Sequence, residues 1–127
     1  MTFQTKLILI LFLLISVSSN VVTQIFVAPD GNDTTNTGTF DSPYKTISRA
    51  ISVVSVGDTI YLRGGTYTCS TTINISINGK SDSLYYLYAY RGEKPIFDFA
   101  SQTSSDGIKV NGWYWHLNGI EVQNAYK

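Results

Sequence analysis

The sequence is short of cysteine, of histidine and of net charge. One cysteine in 127 residues excludes an intrachain disulfide framework. One histidine, His116, lies far along the chain from Cys69, so no nucleophile–base pair is visible, and Cys69 reads as a lone buried or half-buried thiol beside a Thr/Ser cluster. Nine basic against nine acidic side chains leave no basic footprint, which excludes nucleic acid as an expected partner. What the chain does have is apolar and aromatic weight. Its hydrophobic content of 43%, with nine Tyr, six Phe and two Trp, excludes a disordered polar chain. The length allows one small domain at most.

Long apolar runs are also scarce, and the exception is at the start. Lys6 is followed by the unbroken run Leu7–Val17 and then by Ser18-Ser19. This is the order of a secretory signal peptide: charge, apolar stretch, small residues. A bilayer-spanning helix needs about 20 apolar residues, roughly twice this run. Residues 1–19 are therefore expected to be a leader. Cleavage is placed after Ser19, with Ser18 and Thr23 as alternatives and an uncleaved anchor as the competing reading. The mature chain is then extracellular, off the membrane and monomeric. Asn32-Asp33-Thr34 and Asn74-Ile75-Ser76 are sequons, making Asn32 and Asn74 N-glycosylation candidates in a eukaryotic secretory pathway.

The mature chain changes period once. Gln24–Ala28 reads as a short strand, and Pro29–Ser42 as a loop of turn-forming residues. Ser42 as N-cap and Pro43 at the first helical position predict a helix over 43–54. Ile47, Ala50, Ile51 and Val54 give it one apolar face. Beyond Gly57 the pattern is of strands: 59–62, 71–77 with Ile73, Ile75 and Ile77 alternating, 84–90, 96–99, 107–110, 115–117 and 120–122. Within 84–90, Leu84, Tyr86, Tyr88 and Tyr90 fall on one face, and Tyr85, Leu87 and Ala89 on the other. Asn78-Gly79 reads either as a hairpin turn or as a solenoid corner.

One helix followed by very short strands with small-residue corners predicts an all-β chain, a right-handed parallel β-helix with an N-terminal cap helix and its first two or three rungs. An antiparallel sandwich is the competing arrangement. The cap follows from physics, since the end of a solenoid exposes core and unpaired strand edges. The expected organisation is residues 1–19 leader, 20–58 strand, loop and capping helix, and 59–127 the first rungs of an incomplete helix.

Candidate sites are few. Asp30, Asp33 and Asp41 flank a Gly/Asn-rich loop without EF-hand spacing, which favours an Asx-rich turn. Asp98 and Asp106 are isolated, and His116 has no visible partner for general-base work. Arg63 and Lys109 read as solvated charges that could otherwise meet an acidic glycan. Trp113, Tyr114 and Trp115, and Tyr85, Tyr86, Tyr88 and Tyr90, are candidates either for sugar stacking or for packing ladders.

Five segments together carry a resemblance: F-V-A-P-D-G-N-D (26–33), G-T-F-D-S-P-Y-K-T-I (38–47), G-D-T-I-Y-L-R-G-G-T-Y (57–67), K-P-I-F-D (94–98) and W-H-L-N-G-I-E-V (115–122). The chain resembles the amino-terminal region of secreted β-helix proteins, most of all polysaccharide lyase family 9, the pectate lyases. The third segment is also similar to family 6 lyases acting on alginate or chondroitin. The resemblance implies β-elimination on a uronate-containing polysaccharide, with Ca²⁺ held by aspartates and a Lys or Arg as the base. It places those groups in later rungs. The first acidic ligand would fall two residues past Ala125, where this chain has Lys127. It therefore implies no catalytic, cofactor-binding or metal residue in this chain, and Ca²⁺ only in a full-length parent. A non-catalytic glycan-binding module and an inactive truncated product are the alternative readings.

Overall fold

The computed structural model describes residues 21–103 and 105–126, so the proposed leader lies outside the described residues. Among the described residues there are nine short strands: β1 (Gln24–Val27), β2 (Thr59–Leu62), β3 (Gly65–Thr68), β4 (Ile73–Ile75), β5 (Tyr85–Ala89), β6 (Pro95–Asp98), β7 (Ile108–Val110), β8 (Trp115–Asn118) and β9 (Glu121–Gln123). One helix, α1 (Ile47–Ile51), lies between β1 and β2. Every strand pairing is parallel, which excludes the sandwich. Three sheets result, in the orders β1-β2-β5-β8, β3-β6-β9 and β4-β7. The chain thus coils: β2, β3 and β4 make one turn, β5, β6 and β7 the next, and β8 and β9 begin a third. Among the described residues, no helix is long and apolar enough to cross a membrane.

Alternation along each strand becomes columns across strands. In the first sheet Ile25, Ile60, Leu87 and Leu117 stand in register, pointing inward. In the second, Tyr67, Phe97 and Val122 do the same, and Tyr67 stacks on Phe97 with ring centroids 4.6 Å apart. Tyr85 stacks on Trp115 at 4.8 Å, inside. The expected division of 84–90 holds, with Tyr85 and Leu87 buried and Tyr86 and Tyr88 half-buried on the outer face.

Two expectations are corrected. The helix is shorter than 43–54, and its cap is Thr46, not Ser42. The Thr46 side chain accepts the Arg49 N–H at 3.1 Å. Residues 43–45 are taken by β1 instead: Tyr44 bridges Val27, donating to Phe26 O at 2.9 Å and accepting from the Ala28 N–H at 2.9 Å. Extended pairing along a sheet edge and helical φ/ψ exclude each other, so the helix starts later. Strand β3 was missed because Gly64-Gly65 reads as a stop. In fact Arg63-Gly64 is a tight corner, after which the chain runs straight into β3. Asn78-Gly79 lies in the parallel link from β4 to β5, a corner and not the turn of a hairpin.

The helix does close the end of the coil. Ile47 and Ala50 are buried in one cluster with Ile25, Val27, Ile60, Leu62, Ile73 and Ile75, while Ile51 and Val54 pack half-buried at its margin. Helix α1 lies against β1 and β4.

Candidate functional site

The outer face of the first sheet is aromatic. Its outward columns are Phe26, Tyr61, Tyr88 and Asn118, and Gln24, Thr59, Tyr86 and His116. Parallel strands about 4.8 Å apart bring like positions into contact, and the rings pack edge to face or stacked. Phe26 meets Tyr61 at 5.5 Å, and Tyr90 meets Phe26, Tyr61 and Phe40 at 5.4–5.5 Å. Phe40 is brought in by the loop after β1, some distance from the strands in sequence. Most of these rings are half-buried, and Phe40 is exposed.

Arg63 is built into the same cluster. Its guanidinium lies 4.4 Å from the Phe40 ring centre and 5.5 Å from that of Tyr90. Its Nε contacts both Glu93 carboxylate oxygens at 3.0 Å, and the Gly64 N–H donates to Glu93 Oε2 at 2.6 Å. The Arg63 hydrogen bond holds the Glu93 carboxyl below the usual carboxylate range, helped by Gly64 and opposed by partial burial. Glu93 in turn raises the Arg63 pKa. Both members are therefore charged, and Arg63 ties the β2–β3 corner to the β5–β6 loop. At the other end of the face the Tyr88 hydroxyl and His116 Nδ1 are 2.7 Å apart. Burial raises the Tyr88 pKa, so this phenol is not poised as a base.

The remaining candidates separate. Asp33 is structural: Oδ1 accepts from the Lys45 and Thr46 N–H groups at 2.7 and 3.1 Å, and Oδ2 from the Thr46 hydroxyl at 2.7 Å. Asn32 makes the expected Asx turn, its Oδ1 accepting from the Thr34 and Thr35 N–H groups. Asp98 accepts from Asn124 Nδ2 and the Ala100 N–H, which lower its pKa in that order. Asp106 pairs with Lys109 at 2.6 Å. Asp30 and Asp41 lie in the β1–α1 loop. Cys69 is half-buried, its thiol pushed up by burial, and donates to Tyr67 O at 3.3 Å. Trp115 points inward with its Nε1 donating to Ile77 O at 2.9 Å, whereas Trp113 and Tyr114 are exposed. Among the described residues no three or more His, Cys, Asp or Glu side chains come together to hold a metal ion. The carboxylates present do not fit a calcium site, since each named above is engaged locally or stands apart.

Sequence reasoning missed Phe40 and Glu93 as members of one surface. The pairing of Arg63 with a carboxylate 30 residues on has no local signature.

A parallel coil of three sheets with a helix over one end is the architecture of a parallel β-helix protein. Residues 25–127 match the family model "Pel9A-like, right handed beta helix region", and the chain belongs to that family. Pectate lyase L of Paenibacillus polymyxa is 43% identical over 106 residues, covering 80% of this chain and 23% of that protein. Pectate lyase PEL9 of Emericella nidulans is 46% identical over 74 residues, 58% of this chain and 18% of that one. Among solved structures, pectate lyase Pel9A superposes with a TM-score of 0.68 at 32% identity, and a rhamnogalacturonan lyase with 0.72 at 25%; each match covers 79% of this chain and 28% of the other. The fold is thus a right-handed parallel β-helix, and the chain spans about a quarter of the length of these relatives.

Proposed function

We propose that this chain forms the capped first turns of an extracellular polysaccharide lyase that cleaves a uronate-containing polysaccharide such as pectate by β-elimination. The observation that carries the reading is the match of residues 25–127 to the Pel9A-like region, alongside relatives named as pectate lyases. In this reaction a base removes the proton next to a uronate carboxylate, and the bond to the leaving sugar oxygen breaks. A Lys or Arg can serve as that base only where its proton is lost near working pH. Arg63, one of the two cations singled out from the sequence, does not meet that requirement, being ion-paired with its pKa raised, and the other, Lys109, is held in an ion pair with Asp106. The chemistry belongs to rungs beyond Lys127, together with any Ca²⁺ that a full-length protein holds. In this reading residues 1–19 direct secretion, the chain acts as a monomer, and the exposed Asn32 and Asn74 accept N-glycans in a eukaryotic host.

The test is direct. Residues 20–127, incubated with polygalacturonate and calcium, are expected to release no unsaturated product above a mock preparation, followed by ultraviolet absorbance. The same chain extended through its downstream rungs is expected to release it. Calcium-dependent product from residues 20–127 alone overturns the assignment of the chemistry to later rungs. A second reading, a non-catalytic glycan-binding module, draws on the aromatic outer face and the neutralised Arg63 and Lys109. An extended protein that binds polysaccharide without cleaving it favours that reading.

A further inference from the structure

One corner of the aromatic face combines three features that packing alone does not explain. The loop from β5 to β6 turns through Tyr90-Arg91-Gly92-Glu93, closed by the Glu93 N–H donating to Tyr90 O at 2.8 Å. Arg91 has φ 39° and Gly92 φ 78°. Two successive left-handed residues make a type I′ turn, whose first central position favours Asn, Asp or Gly. Arginine there is strained. The usual Asn-Gly would make the same turn without that cost, so the strain gains the fold nothing.

The second feature is what the strained residue presents. Arg91 is exposed, with its guanidinium 5.3 Å from the Tyr90 ring centre. The ion pairs among the described residues are Arg63–Glu93 and Lys109–Asp106, so Arg91 has no carboxylate partner there. The third feature is Phe40, 43% exposed and 5.5 Å from Tyr90. Arg63, tied to Glu93, is packed against Phe40 and Tyr90. The exposed Phe40 ring and the unpaired Arg91 guanidinium therefore both pack against Tyr90, beside the fixed Arg63–Glu93 pair. A pyranose ring offers an apolar C–H face to an aromatic ring, and a uronate adds a carboxylate that a guanidinium binds with two parallel hydrogen bonds.

We propose that Phe40 and Arg91, both packed on Tyr90, form a binding site for a uronate residue of an acidic polysaccharide, separate from the catalytic rungs, in which the chain sugar rests on the exposed Phe40 ring and its carboxylate pairs with Arg91. The site rests on the acidic-polysaccharide reading above, but it is a binding surface and requires no chemistry. In an extended enzyme it would hold the substrate at the capped end.

The experiment is titration of the mature chain with polygalacturonate oligosaccharides and, separately, with their methyl esters, by calorimetry or by chemical-shift changes. Circular dichroism melting is run on each variant. Wild type is expected to bind the acid form in a salt-sensitive manner and the ester about fivefold or more weakly, as loss of a charged pair implies. Arg91→Asn is expected to weaken binding by a similar factor while leaving the melting temperature equal or higher, because it relieves the turn. Arg91→Lys should recover part of the affinity, and Phe40→Ala should lose affinity for acid and ester alike. Unchanged affinity in both Arg91→Asn and Phe40→Ala overturns the site, as does absence of binding by wild type. The outcome is separable from the lyase reading. An extended protein that cleaves pectate while Arg91→Asn binds as wild type sinks only the site, and Arg91-dependent binding without any cleavage sinks only the lyase.

Discussion

The two ends of the coil are built from similar residues and are buried very differently. At the β1 end, Val27 and Ala50 are 0% exposed and Ile47 is 1%. In the last turn, Val122 is 45% exposed, and Leu117 and Ile120 are half-buried. Leu117 stands in register with Leu87, and Val122 with Phe97, so orientation is not the difference. Each inward side chain in a solenoid needs a neighbour on both sides, because a single rung cannot bury its own core. At one end Tyr44 and α1 supply the missing neighbour. Beyond β8 and β9 the described residues supply none.

The largest expected effect tests that contrast. Ile47→Asp places a charge without a partner in the capped core and should cost more than about 4 kcal/mol, enough to prevent soluble folding of a short solenoid. Val122→Asp, an inward position at the other end, should cost under about 1 kcal/mol. Melting followed by circular dichroism compares them. Similar losses for both would mean that α1 does not cover the core. The structure also reorders the helix positions, since Ile47 and Ala50 are more deeply buried than Ile51, the residue that the apolar face alone would single out as central.

This much of the fold was legible in advance. Parallel coiling followed from strands too short for a sandwich, and the inward position of Tyr85 from simple alternation. The helix start was not legible, because Ser42-Pro43 is a good local cap that Tyr44 overrides by pairing with Val27. Local propensity is weak against two backbone hydrogen bonds in a buried sheet edge. The aromatic-cation corner was legible only in pieces. Phe40, Arg63 and Tyr90 come from three separate stretches, and nothing in any one of them indicates the others.

A middle-sized effect concerns how β3 is joined to the capped end. The Tyr67 hydroxyl is shared between Val27 O at 2.9 Å and Arg63 O at 2.7 Å, and burial raises its pKa well above that of a free phenol. Tyr67→Phe keeps the stack on Phe97 and removes the hydroxyl donor, leaving Val27 O with only the Arg63 N–H at 2.8 Å, for an expected loss of about 1–2 kcal/mol. Urea unfolding measures it. A loss below the experimental error would mean that the Tyr67 hydroxyl contributes nothing to joining β3 to β1.

The smallest effect is at Glu93. Its folded pKa lies below the unfolded value, so the Arg63–Glu93 pair contributes fully above the ordinary glutamate range near pH 4.3. That contribution is lost as pH falls through the depressed folded pKa. Partly exposed pairs contribute about 0.2–1 kcal/mol. Glu93→Gln should therefore lower stability slightly at neutral pH and flatten the decline below pH 4. Parallel pH curves for mutant and wild type would mean that the pair adds nothing to this corner.

Local sequence by itself determined what depends on neighbours a few residues apart. That includes the alternation that sorts each strand into an inner and an outer face, the apolar face of α1, and the Asx turn at Asn32. Only the tertiary structure decided what depends on the coil's own repeat. A turn of the helix returns the chain beside itself after some 25–35 residues, as Ile96 facing Glu121, Thr59 facing Tyr86 and Ile73 facing Ile108 show. Contacts between successive turns stack Tyr85 on Trp115 and pair Arg63 with Glu93, and the loop after β1 sets Phe40 against Tyr90. The physical reason is that side-chain alternation has no memory of register between turns. Register is set by how many residues each corner takes, and the corners at Arg63-Gly64 and at Tyr90–Lys94 differ in length while leaving the columns aligned.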